Sequence, residues 1–251
     1  MARSIAVAGK GGTGKSTIAA FIVLELVRRK ETPVLAIDAD PDANLGTHLG
    51  IDVEQSIGDL REDMMKQMQD FPPGMSKAQY MEAGFHGIIE EAEGFDLITM
   101  GRGEGSGCYC YLNSMIRKFS EDIVPSYRWV VMDNEAGLEH ISRRTTSNID
   151  ALVIVVNDNP ISLNTARNIE EITKDLKTAI KKKYVMTNMV KEKRRDDVKN
   201  KIQDLGLARF CDIPFDETIE EAVYAGKSLR EAGSEVIRSC IASLVDEVSA
   251  L

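Results

Sequence analysis

The sequence predicts an α/β domain, with a mostly parallel central sheet and helices on both faces. Three observations carry that prediction. Short β-branched apolar runs recur along the chain, amphipathic stretches of helical period separate them, and most of the runs are apolar throughout. Unbroken apolarity marks strands buried on both faces, and strand–helix–strand repetition implies right-handed crossovers between parallel strands. The 251 residues contain no linker, internal repeat or low-complexity tract, so a single domain spanning 1–251 is expected.

The elements follow in order. SIAVA opens as the first strand and STIAAFIVLELVRR continues as an amphipathic helix. PVLAID is the second strand. The alternation then lapses over 57–91, where two helices separated by the breaker FPPG read as a helical insertion. FDLITM, WVVMD and ALVIVV are the next strands, followed by the helix ISLNTARNIEEITKDL. KYVMTN is a strand, DDVKNKIQDLG a helix closed by Gly206 at its C-cap, and ARFCDI the last strand. The chain ends in SEVIRSCIASLVDEVSAL, amphipathic but net acidic.

A formal charge of -9 argues against a sequence-independent grip on nucleic acid or on an anionic membrane. FIVLELV is too short to span a bilayer and Glu25 interrupts it. With no targeting segment, a cytoplasmic protein is expected, where thiols stay reduced. The four cysteines are then core fillers, metal ligands or redox groups, and not a disulfide framework. Cys211 in ARFCDI and Cys240 on the last helix read as buried packing residues. The basic run from Lys181 to Arg195 reads as solvated surface.

GKGGTGKST, Gly9 to Thr17, lies between the first strand and the first helix. It matches G-x-x-x-x-G-K-[ST] in the context that the motif requires, which makes the fold a P-loop NTPase. Backbone N–H groups of Gly9, Lys10, Gly11, Gly12, Thr13 and Gly14 turn inward around phosphate oxygens, with Thr17 closing the stretch. Lys15 reaches the β- and γ-phosphates and Ser16 is placed to ligate Mg²⁺.

The extra lysine in KGGTGK makes the chain resemble the deviant Walker A proteins: the nitrogenase iron protein, MinD, ParA and their relatives. That resemblance runs from the first strand to the last. It implies a homodimer in which Lys10 crosses to the nucleotide of the other protomer, a charge in trans like an arginine finger. In DADPDANL it implies that Asp40 orients the attacking water and that Asp38 stands behind Mg²⁺. After WVVMD, the run NEAGLEH is similar to the family's switch II. Asp133 is then the Walker B acid and Gly137 meets the γ-phosphate through its backbone. Asn188 is implied to read the adenine edge, and the backbone around Pro214 in DIPFD to flank the ring.

GSGCYCYLNS holds Cys108 and Cys110. Two thiols at i and i+2 point the same way only in an extended segment. They supply half of a soft metal's coordination sphere, and no neighbouring cysteine or histidine completes it. A twofold axis would supply the missing pair from a second copy. The bland reading is two packing cysteines. Together with the loop and with DNEAGLEH, the run GCYCYLNSMIR is similar to the CooC/AcsF-type ATPases, maturation factors of carbon monoxide dehydrogenase and acetyl-CoA synthase. The resemblance implies Ni²⁺ shared between two C-x-C motifs, with Zn²⁺ possible in its place, and ATP-dependent nickel insertion into one of those clients. A metal-independent MinD/ParA-like ATP switch that recruits a protein partner is the competing class. A reductase or cluster carrier is a third.

Overall fold

The structure is a computed structural model, and it describes residues 2–67, 77–101, 122–135, 148–175 and 179–251. Among them eight strands form one sheet. These are β1 (Arg3–Gly9), β2 (Val34–Ala39), β3 (Ile89–Ala92), β4 (Phe95–Thr99), β5 (Trp129–Asn134), β6 (Asn148–Val156), β7 (Ala179–Asn188) and β8 (Arg209–Ile213). Their order is β3-β4-β2-β5-β1-β6-β7-β8, and all pairings are parallel except β3 with β4. The single-domain α/β fold expected from the sequence is therefore the fold observed.

Among the described residues the α-helices are α1 (Lys15–Arg28), α2 (Leu45–Leu49), α3 (Ile57–Gln67), α4 (Lys77–Gly87), α5 (Pro160–Asp175), α6 (Arg195–Asp204), α7 (Glu217–Tyr224) and α8 (Glu235–Ser249). Side-chain alternation assigns the layers. Ile5 and Val7 of β1, with Val153 and Val155 of β6, meet Ile18, Ile22 and Leu26 of α1 and Ile241 and Leu244 of α8. Ala6 and Ala8, with Leu152 and Ile154, face the opposite way toward Phe85 of α4, Ala166 and Ile169 of α5, and Ile202 of α6. Every central strand thus feeds two cores, which is why its sequence is apolar at each position. Gly206 does close α6: it takes φ 71, and Leu207 N–H reaches back to the Ile202 carbonyl at 3.3 Å.

Two expectations need correction. The insertion at 57–91 is not helical to its end, because Ile89–Ala92 forms the antiparallel edge strand β3, turning into β4 at Gly94 (φ 89). Its sequence, IEEA, half-buried on a sheet edge, lacks the apolar run that marks the inner strands. Cys211 and Cys240 are not independent packing residues either: they are joined as a disulfide between β8 and α8, with Cα atoms 6.3 Å apart. No spacing rule could pair cysteines 29 residues apart; the fold brings their elements together. The basic run, in contrast, is surface held by internal ion pairs, Lys181 with Asp150, Lys182 with Glu247 and Lys183 with Glu170. Among the described residues no helix is long and apolar enough to cross a membrane.

Candidate functional site

The site gathers at the carboxyl ends of β1, β2 and β5, where the sheet's connections diverge to either side. β1 ends at Gly9, whose backbone (φ 150) passes so close to β6 that a Cβ there would lie 2.4 Å from the Val155 carbonyl oxygen. The loop then closes on itself. Thr13, fully buried, donates its backbone N–H and its hydroxyl to the Lys10 carbonyl, at 3.2 and 2.7 Å. Gly14 (φ 90) opens α1, whose first turn carries no acidic residue. Four unspent N–H groups and the positive end of a 14-residue helix therefore face the loop's concavity, the arrangement that holds phosphates.

Three carboxylates and a lysine surround that concavity. Lys15 is buried and its ammonium sits 3.3 Å from Asp40 Oδ2. Asp38, at the end of β2, accepts the Asp40 N–H on Oδ1 (3.1 Å) and the Leu45 N–H on Oδ2 (2.9 Å), which pins the turn into α2. Burial nonetheless pushes its carboxyl up to about 6, with the Asp40 charge adding to the rise. Asp133, in register with both Asp38 and Val7, is completely buried, and neither of its oxygens has a hydrogen-bond partner. Burial pushes it up to about 7, and the Asp38 and Asp40 charges add to this, while the nearby Ser16 hydroxyl and Lys15 pull the other way.

A buried carboxylate with both oxygens orphaned is costly unless something supplies positive charge. The donor set of Asp133, Asp38 and Ser16 is oxygen only, which suits a hard, octahedral Mg²⁺ accompanied by phosphate oxygens and water. The described residues contain no group of three or more His, Cys, Asp or Glu side chains able to hold a metal, so the ion here would rely on phosphate oxygens and water for most of its ligands.

Beyond the P-loop, a cavity of ≈ 470 Å³ opens between Gly12, Gly14, Asn188, Pro214 and Phe215. Asn188 donates its amide N–H to the Thr13 carbonyl (2.8 Å), and a Cβ on Gly14 would lie 2.3 Å from that same nitrogen. Thr13 O is an acceptor, so it fixes which end of the amide points at it. Pro214 lines the cavity, and Asp216 holds the wall by capping α7 and accepting the Ser234 N–H at 2.8 Å.

The structure therefore brings together the loop from Gly9 to Thr17, Asp38, Asp40, Asp133, Asn188 and Pro214. Gly137, Cys108 and Cys110 lie outside the described residues. Sequence reasoning missed Asn134, a buried side chain that donates to the Val7 carbonyl (3.1 Å) and to the Met132 carbonyl (3.2 Å), locking the end of β5 to β1. It also missed Phe215 in the cavity wall. An asparagine after an apolar strand carries no distinguishing signal, whereas Phe215 stands beside the marked proline.

Residues 4–229 match the CobQ/CobB/MinD/ParA nucleotide binding domain. The chain belongs to that family. An uncharacterised ATP-binding protein of Methanocaldococcus jannaschii is 38% identical over 219 residues, 86% of each chain. The carbon monoxide dehydrogenase accessory protein CooC of Rhodospirillum rubrum is 33% identical over 264 residues, 97% of each. Among solved structures, a ParA family ATPase from Chlorobium tepidum superposes with a TM-score of 0.71 at 20% identity, covering 97% of this chain and 98% of that one. The protein is thus an ATP-binding, MinD/ParA-like NTPase, a family membership that implies nucleotide and Mg²⁺ binding.

Proposed function

We propose that this MinD/ParA-like NTPase hydrolyses ATP and acts as a nickel metallochaperone. It would dimerise on nucleotide and metal binding and assist nickel insertion into the active-site cluster of carbon monoxide dehydrogenase or acetyl-CoA synthase. The observation that carries the reading is a C-x-C pair in the segment that leaves β4 beside the nucleotide site. Thr99, the last residue of β4, is in register with Asp38, and Met100 N–H bonds the Asp38 carbonyl at 2.8 Å. The segment bearing Cys108 and Cys110 follows that point in the chain. The similarity to CooC along nearly the whole chain supports the same client class.

The mechanism follows from the residues at the loop. Phosphates enter against the α1 N-terminus, and Lys15 exchanges Asp40 for the phosphate oxygens. Asp40, released from its ion pair, accepts a hydrogen bond from the attacking water and orients it. Ser16 would hold Mg²⁺, with Asp133 and Asp38 behind it, and the ion would supply charge stabilisation to the phosphoryl oxygens. Lys10, half-buried and unpaired with any described carboxylate, crosses to the partner's nucleotide. Dimer closure brings four thiolates to the twofold axis, where nickel is bound as cargo, and loss of the γ-phosphate relaxes the switch and weakens that grip.

A nickel titration of reduced protein with ATP tests the reading. The native chain takes up one nickel per dimer, and the Cys108→Ser/Cys110→Ser variant takes up none. Nickel retained by the variant overturns the site. ATP-driven dimers that bind no stoichiometric metal return the protein to the partner-recruiting switch class.

A further inference from the structure

Cys211 and Cys240 play no part in the mechanism above, yet their bond joins β8, whose last residue lines the nucleotide pocket, to α8, which packs in the core beside α1. β8 is an edge strand of the sheet whose ladder partner among the described residues is β7, and its register slips between Val185 and Met186, immediately opposite Cys211. Two residues beyond Cys211, Ile213 stands in register with Asn188 and its carbonyl accepts the Met189 N–H at 2.9 Å. Pro214 and Phe215 follow directly as the cavity wall. An irregular edge strand with one ladder partner thus sets the position of that wall.

Cys240 belongs to the opposite kind of element. It is buried on α8, whose Ile237, Ile241, Leu244 and Val245 are locked in the core that α1 shares. α1 is the helix that begins at the P-loop. The bond therefore ties the strand that carries the cavity wall to a helix packed in the core beside α1, the helix that begins at the phosphate loop. A Cα separation of 6.3 Å needs no backbone movement to accommodate it. Cys211 is half-buried, whereas Cys240 is buried.

We propose that Cys211 and Cys240 are a reversible dithiol–disulfide pair that adjusts nucleotide residence by fixing the adenine wall. The oxidant is a low-molecular-weight disulfide. The Cys211 thiolate attacks it to form a mixed disulfide and expel one small thiol; the Cys240 thiolate then displaces the second. Two protein thiols are oxidised to one disulfide, and one small disulfide is reduced to two thiols. Oxidation preorganises the pocket, so nucleotide leaves more slowly. The proposal rests on adenine occupying the cavity beside Asn188.

The test uses the full chain equilibrated in glutathione buffers of varied redox ratio, quenched by alkylation and mapped by peptide mass spectrometry. Release of a ribose-labelled fluorescent ATP is then timed by stopped flow. The 211–240 link is expected to track the buffer ratio, to raise Tm by roughly 5–10 °C and to slow release by about 3- to 10-fold. Neither Cys211→Ala nor Cys240→Ala should respond, and the serine variants stand in if alanine impairs folding. A link that forms without changing release overturns the proposal, as does failure to form it in the most oxidising buffer. A redox response that survives in both single variants overturns it too. Binding by neither form refutes the nucleotide reading itself, which the peptide map distinguishes from a failure of the dithiol.

Discussion

Replacing Asp133 by asparagine isolates the electrostatic cost built into the nucleotide site. The folded carboxyl holds its proton up to about pH 7, against 3.8 for an ordinary aspartate. Between those values the folded state binds more protons than the unfolded state, so stability is present at low pH and is lost as pH rises through the window. The loss amounts to about 4 kcal/mol at pH 8 and about 1–2 kcal/mol at pH 5, from about 1.4 kcal/mol for each pH unit. Asparagine never ionises, but its buried amide keeps a desolvation cost of about 1–2 kcal/mol. Asp133→Asn is therefore expected to stabilise the protein by about 2–3 kcal/mol at pH 8, raising Tm by roughly 5–10 °C, and by nothing measurable at pH 5. Calorimetry in EDTA without nucleotide reads this directly. The same variant should lose ATP turnover. A variant no more stable than the native chain at pH 8, or a gain equal at both pH values, would refute the account of a charge held ready for Mg²⁺.

Other perturbations address single contacts. Gly14→Ala places a Cβ against the Asn188 amide at a positive φ, and should cost about 1–3 kcal/mol in thermal unfolding while abolishing ATP binding in a fluorescence titration. Asn188→Asp sets an acceptor against the Thr13 carbonyl; equilibrium binding should show ATP affinity reduced at least about 10-fold, as befits a lost buried hydrogen bond and a repulsive pair. Lys10→Ala should remove ATP-driven dimerisation, read as molar mass by light scattering, and lower turnover by about 10³-fold, the scale of a trans charge. Below pH 6, Asp38 and Asp133 both carry protons, so Mg²⁺-dependent ATP affinity should fall, and calorimetry should record proton release on binding.

The strands that enclose the site were legible because burial on both faces writes the same apolar signature at every position. The phosphate loop was legible because its glycines answer local demands: Gly9 passes the Val155 carbonyl and Gly14 passes Asn188. What escaped the sequence depends on encounters between distant segments. β3 is short, charged and paired only along one edge, so it reads as a continuation of the helices before it. The Cys211–Cys240 bond exists because an outer strand returns beside the last helix. The family resemblance points to Asn188, but its direction is set by the Thr13 carbonyl 175 residues away. The ion pair of Lys15 with Asp40 joins two motifs that were each recognised separately.

The central claim is that nucleotide and nickel are coupled through one dimer. Linkage requires the coupling to be reciprocal: if ATP tightens nickel binding by some factor, nickel must tighten ATP binding by the same factor. The most direct measurement is nickel affinity of the reduced protein with and without ATP, alongside ATP affinity with and without nickel, with molar mass followed throughout. The account predicts equal enhancement in both directions, one nickel per dimer, and loss of both effects in Cys108→Ser/Cys110→Ser. Nickel binding indifferent to ATP, or dimers that ATP forms equally well without metal, would contradict it.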